Sequence, residues 1–337
     1  MSDRPAAKRA TIRDVARAAG VSSATVSRVL SRSRTVDADL ARRVMEAVEA
    51  LDYRPDHIAR SLRNARSLTI GLLVYDITNP FCAEMSRAAQ QVLASAGYMT
   101  ILCDGERDPS REQEYLEILS QSRVDGLIVS SSAPDATAFE RFSQRFGLPV
   151  VLVDSLRSRA LDSVRVDNYA GTLHAIAHLA SRGYRRIAII AGKQTILSGA
   201  ERLDAYRRAV EMYGLEQHDG YVQISGFSEA SAYDLTMEIL RLDPRPQAIF
   251  CSNNTIGFGA FRALKSSGVR IPQEVAILLF DDVKLADLCD PPLTVVAQPV
   301  ADIGRTAAQL LLRRLQGEVG EAREVLLPPQ LILRGSV

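Results

Sequence analysis

From Leu68 onward the chain alternates short continuous apolar runs with amphipathic stretches of helical period. Apolar runs of about four to eight residues, bounded by turn residues, are typical of buried parallel strands connected by helices. The runs are LTIGLLVY, YMTILC, GLIVS, PVVLV, RIAIIAG, AIFCS and VAILLF. Two series of such βα units predict two doubly wound α/β lobes.

Before residue 68 the apolar positions recur every three or four residues, which predicts a small helical domain. Thr11 and Asp14 have the spacing of a capping box at the start of a first helix. After a very short turn, Ser22 caps a second helix. The predicted buried side of that helix consists of Val26, Val29 and Leu30. A third helix is expected from a cap at Asp37 to about Leu51, which completes a helix-turn-helix domain.

The exposed side of the second helix suits the major groove of DNA. At about 100° per residue, Ala24 and Arg28 project opposite the buried side, with Thr25 and Ser27 beside them. An arginine can form two hydrogen bonds to a guanine edge, a small alanine lets the helix approach the bases, and hydroxyls can bind phosphates. The alternative is a solvated polar face on a small helical hairpin.

The net charge of +1 conceals an uneven distribution along the chain. Residues 1–66 contain 14 lysines and arginines against 8 acidic residues, whereas the rest of the chain contains 27 against 32. A basic segment followed by an acidic body is typical of a small polyanion-binding module attached to a globular domain. The charge distribution therefore favours a second helix that binds DNA over one whose polar face is only solvated.

The basic segment YRPDHIARSLRNARS, residues 53–67, is interrupted by Pro55. Residues 56–63 have the pattern of a short helix, which is too short to be stable alone. Leu62 is apolar in a polar surrounding, and such a side chain can insert between base pairs in the minor groove and bend the DNA. An ordinary interdomain linker is the alternative.

Polar side chains follow the predicted strands of the body at their carboxyl ends. Asp76 and Phe81 of DITNPF follow the first strand, Asn253 follows AIFCS, and Asp281 follows VAILLF. In open α/β sheets, ligands bind in the crevice beyond the carboxyl ends of the strands. Arg202, after RIAIIAG, is placed to bridge ligand hydroxyls and neighbouring acids. These groups suit a polyhydroxylated or polar heterocyclic ligand.

Three segments together, TIRDVARAAGVSSATVSRVL, YRPDHIARSLR and TIGLLVYDITNPF, resemble the lac repressor family of bacterial transcription regulators. The resemblance extends over essentially the whole chain from Thr11. It implies an N-terminal all-α helix-turn-helix headpiece and an α/β periplasmic-binding-protein-like core of two doubly wound parallel-sheet lobes. It also implies a palindromic double-stranded DNA operator, a homodimer and a small-molecule effector. A sugar, sugar acid or sugar phosphate is the expected effector, with a nucleobase as the alternative.

The resemblance also implies roles for individual residues. The expected DNA-binding residues are Ser22, Ser23, Ala24, Thr25, Ser27, Arg28, Arg60, Ser61 and Leu62. Of these, Ser23, Ala24 and Arg28 occupy base-reading positions, and Leu62 is the minor-groove wedge of a hinge helix. The expected effector-binding residues are Asp76, Phe81, Asp167, Arg202, Asn253, Asp281 and Gln298.

Besides Asp56, which stands where many relatives have asparagine, two positions near the expected pocket depart from the family pattern. Asn254 stands where aspartate is usual, which removes a charge near the expected pocket. Leu279 replaces a common glycine and crowds the backbone beside Asp281, so either departure would change the ligand preference or reduce the response. Because the chain has no tryptophan, a sugar ring would stack on a Phe or Tyr side chain such as Phe81 or Phe250.

The expected domains are a helix-turn-helix domain over residues 1–55, a hinge helix or linker over 56–67 and an effector-binding core over 68–337. The expected lobes of the core are an N-lobe of about 68–166 and 297–324 and a C-lobe of about 167–296 and 325–337. The final segment VLLPPQLILRGSV is predicted to form one last strand. No heptad tail follows it, which favours a dimer over a tetramer.

Two other classes of protein compete with a regulator. A solute-binding protein for carbohydrate transport would have a secretion signal and no basic head, whereas MSDRPAAKRA contains no apolar stretch. With no apolar run of about 18 residues either, we expect a cytoplasmic protein with no membrane partner. An enzyme is disfavoured because no P-loop, nucleophile elbow or paired-carboxylate arrangement is present.

No metal site or cofactor is expected. His174 and His178 lie one helical turn apart, but the glutamate of a zinc-binding HExxH motif and a third ligand are missing. The segment GFGAF lacks the third glycine of a dinucleotide-binding motif. The four cysteines are widely spaced and form no CxxC pair, which disfavours a zinc ribbon or a redox site.

Overall fold

The computed structural model describes residues 10–30, 36–53, 67–154 and 156–337. The predicted DNA-binding residues Arg60, Ser61 and Leu62 lie outside these ranges. Compact packing separates the chain into two units between Ser67 and Leu68. No helix within the described ranges is both long and apolar enough to cross a membrane.

The first unit contains three short helices around a small apolar core. They are α1 (Ile12–Ala19), α2 (Ser23–Leu30) and α3 (Ala38–Ala50). The buried core consists of Val15, Ala16, Ala19, Val26, Val44 and Ala47. The Thr11 amide donates to the Asp14 carboxylate at 2.9 Å where α1 begins, and Gly20 ends α1 with a φ of 66°. The Ser22 hydroxyl accepts the Thr25 amide at 3.1 Å, which caps α2 as the sequence predicts.

The second unit contains two lobes, each built on a six-stranded sheet. The strands of the first lobe are β1 (Thr69–Val74), β2 (Met99–Asp104), β3 (Gly126–Ser130), β4 (Val150–Val153), β5 (Asp162–Val166) and β11 (Glu324–Leu327). They pair in parallel in the order β11-β5-β4-β3-β1-β2. The helices of this lobe are α4 (Pro80–Ser95), α5 (Pro109–Gln121), α6 (Thr137–Phe146) and α12 (Val300–Leu315).

The second lobe repeats this arrangement with one antiparallel edge. Its strands are β6 (Ile187–Ala191), β7 (Val222–Ile224), β8 (Ala248–Cys251), β9 (Ala276–Phe280), β10 (Thr294–Ala297) and β12 (Gln330–Ile332). Their order is β12-β10-β9-β8-β6-β7, and β12 pairs antiparallel with β10. The helices are α7 (Asn168–Ser181), α8 (Leu197–Met212), α9 (Glu229–Ile239), α10 (Asn254–Ser266) and α11 (Lys284–Leu288).

Both sheets are covered by apolar layers on both faces. Successive residues of a strand point to opposite faces, so Leu72 packs into one layer of the first lobe and Leu73 into the other. In the second lobe, Ile189 and Ile190 divide between the two layers in the same way. All four side chains are at most 2% exposed. The continuous apolar runs therefore mark strands buried on both sides, and the two doubly wound lobes are those that the sequence predicts.

The last strands differ from the predicted ones. The segment after residue 323 forms two strands, of which β11 pairs with β5 of the first lobe and β12 with β10 of the second. Residues 325–327 therefore belong to the first lobe, not to the C-lobe to which the sequence assigned them. The reason is the pair Pro328-Pro329, which lies between β11 and β12. Because proline has no amide hydrogen to donate to a sheet, the pair ends β11, and the chain crosses to the second lobe before β12 begins.

Leu279, one of the departures from the family pattern, is accommodated by the absence of a side chain at Gly257. A Cβ atom on Gly257 of α10 would lie 2.1 Å from Leu279 Cδ2 on β9. The side chain of Leu279 thus fills the space beside α10 and is fully buried.

We expect Gly257→Ala to lower the free energy of unfolding of the core by about 1–3 kcal/mol, the usual cost of overpacking. This loss should appear although alanine gains about 1 kcal/mol over glycine in helix propensity. Urea unfolding of the full chain measures it. In the control, Leu279→Ala should cost less in the Gly257→Ala background than in the wild type, because the added methyl group occupies part of the vacated space. Strictly additive losses would contradict the packing argument.

Candidate functional site

A cavity of about 340 Å³ lies in the second unit where the strands of both lobes end. Each of the first four strands of either lobe is followed by residues that line it. From the first lobe these are Tyr75, Phe81, Arg107, Pro109, Ser131, Ser132, Pro134 and Asp154. From the second lobe and the crossover after β10 they are Lys193, Thr195, Ile196, Ser198, Arg202, Gly226, Phe227, Asn253, Asp281 and Gln298. The cavity therefore occupies the position expected of a ligand site in open α/β sheets.

Aromatic rings from both lobes face this cavity. Phe81 is held at the start of α4, where the Asn79 side chain accepts its amide at 3.0 Å and Pro80 occupies the first helical position. Phe227 has a φ of 61° and packs on Gly192, where a Cβ atom would lie 2.2 Å from the ring. Phe250, the other predicted stacking residue, is instead fully buried in the core. The prediction for Phe250 is wrong because that residue lies within β8, not beyond its end.

Arg202 is the most fully buried cation in the lining. It is 4% exposed, and its Nε donates to Asn168 Oδ1 at 2.9 Å and its Nη1 to the Ser252 carbonyl at 2.5 Å. The guanidinium carbon lies 3.6 Å from the centroid of the Phe280 ring. The Asn168 side chain in turn donates to Glu201 Oε2 at 2.9 Å. These contacts fix the orientation of the guanidinium within the cavity wall.

Asp281, Gln298 and Asn253 also line the cavity. Asp281 has a φ of 76°, accepts the Gln298 side-chain amide at 2.6 Å and accepts the Asn254 backbone amide at 3.2 Å. Gln298 Oε1 is buried and has no hydrogen-bond partner among the described residues. Asn253 caps α10 through the Ile256 amide at 2.9 Å. A buried acceptor of this kind requires a donor, which a ligand hydroxyl or amine can supply.

Two of the predicted effector-binding residues do not line the cavity. Asp76 instead accepts Arg107 Nε at 2.9 Å. Burial opposes its ionisation, but hydrogen bonds from Thr78 and the charge of Arg107 outweigh burial and hold the pKa of Asp76 below its ordinary value. Asp167 caps α7 by accepting the Ala170 amide at 2.8 Å. Its neighbour Asn168 accepts Arg202 Nε at 2.9 Å but does not line the cavity either.

An ion-pair network beside the cavity joins the two lobes. Arg165 on β5 is 1% exposed, and its Nη1 donates to Glu324 on β11 at 2.6 Å. Its Nη2 donates to Glu201 on α8 of the other lobe at 2.5 Å, and its Nε donates to the Asp154 carbonyl at 3.2 Å. The hydrogen bond from Arg165 is the main cause that holds the pKa of Glu324 below its ordinary value. Arg165 thus connects the backbone of one cavity residue, Asp154, with the helix that carries another, Arg202.

A second cavity of about 790 Å³ adjoins the first and shares Phe81, Asp281 and Gln298 with it. Its lining contains more acidic residues than that of the first cavity, and part of this negative charge is neutralised where Arg334 pairs with Asp282 at 2.9 Å. No group of three His, Cys, Asp or Glu side chains that could hold a metal occurs in the described part of the chain.

The helix α2 presents the predicted polar side. Val26 is fully buried, whereas Ala24 and Arg28 are exposed. The hydroxyls of Ser22 and Thr25 are hydrogen-bonded to each other at 3.0 Å. The geometry is that of a helix whose polar side is open to a large partner.

Comparison with known proteins adds to this geometry. The family model for bacterial regulatory proteins of the lacI family matches residues 11–56, and that for a periplasmic binding protein-like domain matches residues 176–337. The HTH-type transcriptional repressor PurR of Photobacterium profundum is 33% identical over 97% of this chain and 98% of its own length. The ribose operon repressor of Escherichia coli is 34% identical over 97% and 99%. The solved lac repressor dimer bound to operator and the anti-inducer ONPF is 25% identical, with a TM-score of 0.88 over 98% of this chain and 99% of that chain.

Proposed function

Because this chain belongs to the lacI family of bacterial regulatory proteins, we propose that it is a repressor that binds a palindromic operator as a homodimer under the control of a small polar effector. Family membership makes it a DNA-binding transcriptional regulator with a ligand-binding core. The observation that carries the proposal is the cavity whose lining comes from both lobes. A ligand that contacts both lobes favours one arrangement of them over another, and this is the basis of a ligand-controlled switch.

The effector is proposed to be a sugar or a sugar derivative. The cavity combines the carboxylates of Asp154 and Asp281, the guanidinium of Arg202 and the unpartnered oxygen of Gln298. Such groups bind several hydroxyls at once, and the ring of Phe81 offers an apolar surface for the face of a sugar. The alternative effector is a nucleobase, which the aromatic rings of the cavity would also accept. The relatives include both a ribose operon repressor and PurR.

The helix α2 is proposed to read the operator in the major groove. Arg28 would contact a base edge, Ser23 and Ala24 would leave room for it, and the hydroxyls of Thr25 and Ser27 would bind phosphates, as would Ser22. The exposure of Ala24 and Arg28 opposite the buried Val26 supports this orientation.

Dimer formation is supported by apolar side chains that remain exposed on this single chain. Three of them, Met99, Ile101 and Leu102, lie on β2, which is an edge strand of the first sheet. Two more, Leu285 and Leu288, lie on α11 of the second lobe. Clusters of exposed apolar residues mark protein interfaces, and a dimer matches the two halves of a palindromic operator.

Effector binding and operator binding must then affect each other equally. We propose that the lobes change their arrangement around the effector, and that this change alters the affinity of the chain for its operator. By thermodynamic linkage, an effector that changes operator affinity must have its own affinity changed by the operator to the same extent.

A gel shift of the full chain against the DNA upstream of its own gene tests the proposal. We expect binding that is specific for one site and that changes when a sugar or nucleobase from a panel is added. A protein that binds none of this DNA specifically but binds a sugar would be a solute-binding protein instead. Turnover of the sugar would indicate an enzyme.

We expect Arg28→Ala to weaken operator binding by about 1–3 kcal/mol at one base position, since it removes a contact to a base edge. Binding to a panel of operators with single substitutions measures this loss. Arg17→Ala is the matched control, because this exposed arginine lies on α1. A uniform loss over all operator variants would mean that Arg28 binds phosphate and reads no base.

A further inference from the structure

A buried carboxylate, that of Glu112, lies behind the wall of the 340 Å³ cavity. Glu112 is in the first turn of α5 and is 2% exposed, but it does not line the cavity itself. No ion-pair partner of Glu112 occurs among the residues that the structure describes. A buried carboxylate without a cation is tolerated only where hydrogen bonds replace its lost hydration, so its hydrogen-bond donors indicate what it does.

The donors to Glu112 come from the segment that follows β3. Ser131 Oγ donates to Oε2, and the Ser132 amide and Ser132 Oγ donate to Oε1 at 2.9 and 3.0 Å. The Ala133 amide in turn donates to Ser131 Oγ at 2.9 Å. Because a carboxylate can only accept hydrogen bonds, both serine hydroxyls must direct their hydrogen atoms towards Glu112.

The side chain of Glu112 is held in this position by its surroundings. A Cβ atom on Gly105 would lie 2.8 Å from Glu112 Cγ and 3.2 Å from Oε1, so the side chain fills space that Gly105 leaves open. The start of a helix carries about half a positive charge, which stabilises a carboxylate in the first turn of α5. The carboxylate is therefore in place before any ligand binds.

Ser131 and Ser132 both line the cavity, and Glu112 determines which hydrogen bonds they can form with a ligand. A serine hydroxyl has one hydrogen atom to donate and two lone pairs that accept. With both hydrogens directed to Glu112 and the Ala133 amide bonded to Ser131, one lone pair remains on Ser131 Oγ and two remain on Ser132 Oγ. These hydroxyls can thus accept hydrogen bonds from a ligand but donate none.

Gln298 requires the same kind of ligand group at another point of the lining. Its Nε2 donates to Asp281 at 2.6 Å, and its Oε1 is buried without a hydrogen-bond partner among the described residues. A buried acceptor that stays unpaired lowers the stability of the complex. A ligand with several hydrogen-bond donors can satisfy Gln298 and the serine hydroxyls together.

We propose that Glu112 is a positioning residue that determines ligand specificity, because it holds Ser131 and Ser132 as hydrogen-bond acceptors. The effector must then present hydroxyl or amino hydrogens at the end of β3. A group that only accepts, such as an ether oxygen or a fluorine atom, is rejected there, since it leaves the acceptors of the site unpaired. This proposal rests on the proposed function, because it specifies the ligand class of that same cavity.

Calorimetry of the full chain with paired probes tests the proposal. The probes are D-ribose and D-glucose, each against its singly deoxyfluorinated analogues, and adenine against purine, which lacks the amino group. We expect at least one analogue to bind the wild type about tenfold more weakly than its parent, because it cannot donate to the serine hydroxyls. The sugar pairs report a hydroxyl donor and the adenine pair an amino donor.

Glu112→Gln should reduce this discrimination from about tenfold to about twofold or less. The Ser132 amide needs an acceptor, so the glutamine oxygen stays at the position of Oε1 and its Nε2 donates to Ser131 Oγ. The Ser131 hydroxyl then turns its hydrogen into the cavity and donates to the ligand. Glu114→Gln is the matched control, because Glu114 is an exposed residue of the same helix. A merely structural role of Glu112 would weaken parent and analogue equally and leave their affinity ratio unchanged.

Ser131→Ala tests the same contact without changing the buried charge. It removes the acceptor itself, so it should also reduce the discrimination, and adding Glu112→Gln should then change the ratio no further. The proposal is overturned if the ratio is unchanged in both single variants, if the wild type binds every probe and its analogue equally, or if no probe binds.

The outcomes separate this proposal from the proposed function. If a sugar or adenine changes operator affinity while Glu112→Gln leaves every affinity ratio unchanged, the role of Glu112 fails and the regulator remains. If the chain binds no operator but Glu112→Gln still reduces the discrimination, the proposed function fails and the role of Glu112 remains.

Discussion

Replacing Glu201 with leucine should destabilise the core by about 3 kcal/mol, because it leaves the charge of Arg165 buried with fewer partners. Arg165 is 1% exposed and donates to Glu201 at 2.5 Å. The substitution also removes the acceptor of the Asn168 side-chain amide. The loss should lie at the low end for a broken buried ion pair, because Glu324 still accepts Arg165 Nη1 at 2.6 Å. Urea unfolding of the full chain measures it.

Two further variants decide whether the buried charge is the cause. Glu324→Leu should cost less, because the side chain of Glu324 is 45% exposed and that of Glu201 only 18%. The double variant Arg165→Met/Glu201→Leu should be more stable than Glu201→Leu alone, because no charge then remains buried and apolar replacements pack well at such sites. A double variant that is less stable than either single one would instead show that the network stabilises the core as a unit.

The fold could be predicted from the sequence because its signals are local and repeated. A continuous apolar run indicates a strand that is buried on both faces. The polar residues after the run lie at the carboxyl end of that strand, where ligands bind, and neither inference needs information from distant parts of the sequence. This rule was sufficient for Phe81, Arg202, Asn253 and Asp281, whereas Gln298 was expected only from the family resemblance; all five line the cavity. Whether they bind the effector stays a prediction.

Some cavity residues could not be predicted from the sequence, because their positions depend on backbone turns that the pattern of apolar and polar residues does not encode. Arg107 and Phe227 follow β2 and β7 in loops, and they face the cavity because their φ angles are 59° and 61°. A positive φ is uncommon for residues other than glycine, so neither loop has a sequence signal for it. Asp167 does not line the cavity for a different reason, because its side chain is used to cap α7 through the Ala170 amide.

Arg202→Ala should weaken effector binding by about 1.5–3 kcal/mol, the usual contribution of a hydrogen bond to a charged group. It should thus remove the effect of the effector on operator binding, while operator affinity without effector stays unchanged. The physical reason is that Arg202 is fixed by Asn168 and Ser252 before the ligand arrives, so little freedom is lost when its remaining donors bind. Calorimetry with the ligand from the panel, together with gel shifts in its presence and absence, measures both quantities.

Arg208→Ala is the matched control for this prediction, because Arg208 lies on the same helix and its side chain is 56% exposed. Arg202→Lys separates charge from geometry: it keeps the positive charge but loses the planar fork that bonds two neutral oxygens and the ligand at once. If the lysine variant responds to the effector like the wild type, the charge alone is sufficient. If Arg202→Ala keeps both operator affinity and the full effector response, the ligand lies elsewhere, and the adjoining cavity that shares Asp281 and Gln298 becomes the site to test.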